Sequence, residues 1–187
     1  MNKVLSLTLG SILALAANNA LAANKGTVTF DGIVIADTCN INVNGSNSAT
    51  TTVQMPAAYK TDFTGPNSVG ATQQFQIALT GCDDAVQNIN MKFEGDKHSA
   101  DTANETLKTT GPANNGKDSV GIKLYSKHQS NEVAVKFDNS RPDFAADATM
   151  AGGAATLTYI AKTIQVGSEA PVSGTYTAKA DYELVYR

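Results

Sequence analysis

From Gly174 to the last residue the chain alternates without a break. Tyr176, Ala178, Ala180, Tyr182, Leu184 and Tyr186 fall on one face; Thr175, Thr177, Lys179, Asp181, Glu183, Val185 and Arg187 fall on the other. Successive side chains of an extended chain point to opposite faces, so a period of two means a strand with one apolar side. The same period recurs upstream. Gly26, Val28 and Phe30 oppose Lys25, Thr27, Thr29 and Asp31, and Phe75, Ile77 and Leu79 alternate within 73–80. Ile89, Met91 and Phe93 repeat the pattern, then Ile122 and Leu124, then Val133, Val135 and Phe137. Leu157, Tyr159 and Ala161 do so again, with Ile164 and Val166 in a second, offset alternation. Turn-rich stretches at 44–52, 64–70 and 111–118 separate these runs, and Gly152-Gly153 limits the alanine-rich 145–155 to a single helical turn. Short strands with Gly- and Asn-rich turns predict one antiparallel β-sandwich, with the C-terminal strand its longest.

The N-terminus predicts export. A short positive start at Lys3, an apolar run from Val4 to Ala17 and the small-x-small signature Ala20-Leu21-Ala22 form a secretory signal peptide over 1–22. That run, about 14 residues, falls short of the roughly 20 needed to span a bilayer. The mature chain, about 165 residues from Ala23, is long enough for one domain with a real core. Only 17% of residues are charged, the net charge is −3 and both signs are scattered, so no basic patch is available for nucleic acid.

Chemistry is poorly supplied. Cys39 and Cys82 are the only cysteines, and in an oxidising compartment such a pair most simply forms one disulfide. A catalytic thiol or a metal-ligand pair competes with that reading, but neither has partners at suitable spacing. His98 and His128 lie in different polar stretches and are expected in solvated loops. No H-E-x-x-H, C-x-x-C or G-x-S-x-G spacing occurs, so the chain is read as no enzyme, without metal or cofactor. The sequons at Asn44-Gly-Ser46 and Asn104-Glu-Thr106 are read as chance.

The two ends are unusual together. A glycine-interrupted strand at the start of the mature chain needs a sheet to receive it, and glycine permits close approach of another backbone. A long regular strand at the other end is an edge that proteins normally blunt. Both are explained if one chain's first strand pairs beside another chain's last, a head-to-tail contact that generates filaments. The plain alternative, from pattern alone, is a first strand that pairs within its own domain.

The residues at these ends carry a resemblance. Gly26-x-Val28-x-Phe30-x-Gly32 followed by Cys39, Cys82 after an alternating strand, and Gly174 with the apolar alternation to the penultimate Tyr186 resemble the major subunits of type 1-like fimbriae of the bacterial chaperone–usher pathway. The likeness runs from the signal peptide to the last residue. It implies an immunoglobulin-like sandwich lacking its last strand, completed by a donor strand from a neighbouring subunit. Residues 23–37 would be the N-terminal extension, with Gly26, Val28 and Phe30 as donor residues and Asn24 at its leading end. Residues 38–187 would be the pilin domain. Gly174, Tyr176, Ala178, Ala180, Tyr182, Leu184 and Tyr186 would line the acceptor groove, and the carboxylate of Arg187 would anchor a periplasmic chaperone. An outer-membrane usher would then exchange the chaperone for the next identical subunit, building a surface fimbria used in adhesion. A tip adhesin or adaptor of the same system, or a self-contained secreted β-sandwich binding protein, are the competing functions.

Overall fold

The computed structural model describes residues 28–29, 32–34, 39–128, 131–140 and 148–186. The chain divides into two compact units, 1–31 and 32–187, and the fold below is that of the second unit. Its strands are β1 (Asn40–Val43), β2 (Val69–Thr80), β3 (Asn88–Gly95), β4 (Thr106–Lys108), β5 (Val120–His128), β6 (Asn131–Ala134), β7 (Ala148–Thr149), β8 (Ala155–Gln165) and β9 (Ala180–Tyr186). All pairings are antiparallel. One sheet runs β1-β2-β8-β5-β4, with β6 beside β4 on the same edge of β5; the other runs β7-β3-β9.

The alternation determines which face each strand buries. Ile77 and Leu79 of β2, Ile89, Met91 and Phe93 of β3, Leu124 of β5, and Leu157 and Tyr159 of β8 are all buried in one core. Aromatic rings pack both within and between the two sheets. Phe75 stacks on Tyr159 at 5.6 Å between centroids; Phe93 meets Tyr159 edge-on at 5.3 Å and Phe137 at 6.4 Å. Edge-to-face pairs of this kind add to area burial by about 0.5–1.5 kcal/mol. Burial holds the Tyr159 hydroxyl in its neutral form, with its pKa raised.

Three expectations change. The C-terminal strand is not the longest: β9 has 7 residues, against 12 in β2 and 11 in β8. The ladder on β3 ends at Gly95, opposite Ala180. Upstream of that point the chain stays extended but changes partner, with Thr177 and Thr110 exchanging backbone hydrogen bonds of 2.8 Å. The two alternations near 157–166 belong to one strand, β8, which buries Ile160 and Ile164 on its second face. His98 is buried, not solvated. Its Nε2 donates to the Asp118 carbonyl at 3.1 Å, and its Nδ1 accepts from the Ala100 N–H at 3.2 Å, so the ring is the neutral Nε2–H tautomer.

Two carboxylates brace the turns at one end of the core. Burial alone would raise the pKa of Asp101, but hydrogen bonds from the Thr106 side chain and the Ala103, Glu105 and Thr106 N–H groups outweigh it and hold the pKa below the usual value. Asp138 is held low first by the Ser140 side chain, then by the Ser140 N–H and the Asn104 amide, against a smaller opposing effect of burial. A carboxyl whose folded pKa is depressed contributes stability above its unfolded pKa, about 3.9 for Asp. That contribution is lost as pH falls through the folded value. Melting temperature should therefore fall below about pH 4. In Asp101→Asn it should be lower at pH 6 and decline less steeply in acid, as read by circular dichroism from pH 6 to pH 2.

Candidate functional site: an unpaired groove beside the last strand

β9 pairs with β3 along one edge, and its other edge has no ladder partner among the described residues. Tyr176, Ala178, Ala180, Tyr182, Leu184 and Tyr186 are half-buried and pack against the core from one face. Thr175, Thr177, Lys179, Asp181 and Glu183 are exposed on the other. A finished sandwich would cover that apolar row; here it remains partly open.

The opposite border is a segment that the pattern did not single out. Residues 50–59 follow β1 outside any strand. No backbone–backbone hydrogen bond joins 51–58 to another described residue. Val53, Met55 and Ala58 are half-buried, and Met55 packs on the same core as the β9 face. Backbone groups without a described partner are those an added strand would pair. At its head, the Tyr182 hydroxyl donates to the Ala49 carbonyl at 2.6 Å, tying the two borders together.

Between the borders lies an aromatic floor. Phe75 and Tyr159 belong to one sheet, Phe93 and Tyr182 to the other, and Phe93 stands 6.3 Å from Tyr182 between centroids. Ile41 of β1 completes the half-buried rim. Sequence reasoning missed Ile41, Met55 and Phe75 as rim residues. The only signal for the segment was the brief Val53-x-Met55 alternation, cut short by Pro56, which has no N–H to give a ladder.

The upper end of the groove is shaped by close backbone approach. A Cβ on Gly174, whose φ is +159°, would stand 2.8 Å from Pro112 Cβ and 2.9 Å from Ala113 N. The loop beneath is held by buried Asn114, whose amide nitrogen donates to the Thr109 carbonyl at 2.8 Å and whose oxygen accepts from the Val120 N–H at 2.8 Å. Tyr176 is fixed separately, its hydroxyl 2.7 Å from Thr163 Oγ1.

Cys39 and Cys82 form a disulfide at the head of β1, where Asn40 pairs with Thr80. Val28 is 75% exposed; Gly26, Phe30 and Arg187, also singled out by pattern, lie outside the described residues. Among the described residues no group of three His, Cys, Asp or Glu side chains is arranged to hold a metal ion.

The sequence profile described as fimbrial protein matches residues 25–187. The chain is 28% identical to the F17 fimbrial protein of Escherichia coli, over 94% of this chain and 95% of that one. It is 25% identical to a type-1 fimbrial protein subunit of Serratia marcescens, over the whole of both. Among solved structures, its fold is similar to the P pilus rod subunit PapA, with a TM-score of 0.59 at 20% identity, covering 81% of this chain and 100% of that one. It is also similar to a chain of a chaperone–usher pilus, with a TM-score of 0.61 at 21% identity, covering 88% and 97%.

Proposed function

This chain belongs to the fimbrial protein family and is a structural pilus subunit with an incomplete immunoglobulin-like fold; on that footing we propose that it polymerises by taking a neighbouring copy's N-terminal strand into the groove beside β9. The observation that carries this reading is the half-buried apolar row of β9, whose outer edge has no ladder partner among the described residues, with the likewise unladdered 51–58 beside it through the Tyr182–Ala49 bond. Main-chain bonds along both borders supply affinity, and alternate side chains entering the row supply specificity. Gly26, Val28 and Phe30 of the incoming chain are the donor residues, and Tyr176, Ala178, Ala180, Tyr182, Leu184 and Tyr186 receive them.

Fully burying a Val or Phe side chain recovers roughly 1.5–3 kcal/mol. With a ladder of backbone bonds on either side, dissociation becomes very slow, so the filament is held by kinetic stability. Because donor and acceptor surfaces differ, the contact does not close on itself and the assembly is an open fibre. The same open groove requires a cover before assembly. A periplasmic chaperone supplies that cover, anchored at the Arg187 carboxylate, and an outer-membrane usher exchanges it for the next subunit on the way to the cell surface.

Phe30→Asp tests this in cells that display the fibre. A charge entering an apolar row goes unpaired and uncompensated, so surface fibres seen by electron microscopy should fall at least tenfold while the subunit still accumulates in its export compartment. Undiminished fibres of normal length would contradict the donor role.

A further inference from the structure

We propose that Tyr182 is a positioning residue that holds the acceptor groove at the width of one strand before any strand enters it; this rests on the strand-accepting reading above. Three observations carry it. The Tyr182 hydroxyl crosses from β9 to the Ala49 carbonyl at 2.6 Å, between residues 133 positions apart. Its ring lies in the inward row of β9 and packs on Phe93 at 6.3 Å, on the side where that row meets the core. The segment that Ala49 heads has no backbone–backbone hydrogen bond over 51–58 to any described residue, so among those residues this bond is the one that ties the segment to β9.

The span matches the task. Two strands flanking a third stand about 9.5 Å apart, twice the inter-strand spacing. A tyrosine side chain extended from one border, plus one short hydrogen bond, is of that order. A free border would have to be ordered at the moment of binding, and that lost freedom would be subtracted from affinity and slow productive encounters. A tethered border has been ordered during folding. Partial burial raises the Tyr182 pKa, so the hydroxyl remains a donor well into alkaline pH.

The Lys162–Glu132 pair provides the internal control. Lys162 Nζ donates to the Glu132 carboxylate over a similar length, 2.7 Å, but that bond joins β8 to β6 and leaves the 49–58 border untouched. The experiment follows uptake of a fluorescent peptide of residues 23–35 by the full mature, disulfide-intact chain, using anisotropy to separate association from dissociation. Tyr182→Phe, which keeps the ring on Phe93, should slow association about three- to tenfold, the range corresponding to one net hydrogen bond, with dissociation changed less. Glu132→Gln should leave association unchanged even where it lowers the melting temperature. Equal association for Tyr182→Phe and the unaltered chain would overturn the positioning role while leaving the groove reading intact. Faster association would also overturn it, making the hydroxyl a bar across the groove. No uptake by the unaltered chain would overturn the groove reading itself.

Discussion

Replacing Cys39 and Cys82 together by alanine should cost about 4 kcal/mol of stability, the denatured-state entropy removed by closing a loop of this length in the chain-entropy model. The bond closes a sequence separation of 43 residues, and typical domains are stable by only about 5–15 kcal/mol. For a chain of this size each kcal/mol moves the melting temperature by about 2–4 °C, so a drop of roughly 8–16 °C is expected. The position of the bond adds to the effect. β1 has 4 residues and, among the described residues, pairs with β2 alone, so the disulfide fixes the head of a short strand. Both half-cystines are buried in the core, and the Cys82 N–H donates at 3.0 Å to the Gly153 carbonyl in the turn leading into β8. The chain from β1 into 50–59 forms one border of the groove, so the double variant should lose strand uptake along with stability. Calorimetry of the double variant beside the unaltered chain measures the first effect; a loss below about 1 kcal/mol would show that the loop is already constrained without the bond.

Much of this architecture was legible in the residues. A period of two needs no tertiary information, so the inward rows Ile77–Leu79, Ile89–Met91–Phe93 and Leu157–Tyr159 could be read directly and are buried together. The alternation of the C-terminal face was legible for the same reason, since Tyr176 to Tyr186 are half-buried at every second position. The length of β9 was not, because a strand is as long as its partner allows and β3 ends at Gly95. The partner change at Thr177 depends on a loop around Thr110 that is distant in sequence.

The second border shows the limit more sharply. Residues 50–59 open on the β-branched run Thr50 to Val53, but Gln54, Pro56, Ala57 and Ala58 follow where a sheet strand would carry β-branched and aromatic residues. Met55 nevertheless packs on the core, a tertiary contact that local sequence does not specify. His98 was misjudged for a related reason. Its neighbours in sequence are polar, but the Ala100 N–H and the Asp118 carbonyl satisfy both ring nitrogens, and that removes the cost of burying them. The sequon at Asn104 has a structural role as well: its amide donates to Asp138 at 2.9 Å, and its carbonyl accepts the Phe137 N–H at 2.8 Å.

The central claim is that this fold is one strand short and is completed in trans. Burying Val28 and Phe30 at roughly 1.5–3 kcal/mol each, with a ladder on both sides, gives a stabilisation of about 5 kcal/mol or more for a saturating strand. At about 2–4 °C per kcal/mol that is a rise of at least 10 °C. The direct measurement is thermal melting of the disulfide-intact chain begun at Thr38, alone and with a peptide of residues 23–35. The account predicts a rise beyond 10 °C that disappears when the peptide carries Phe30→Asp. A chain that melts at the same temperature with and without the peptide would mean that its sheets are already complete, and the strand-exchange account would be wrong.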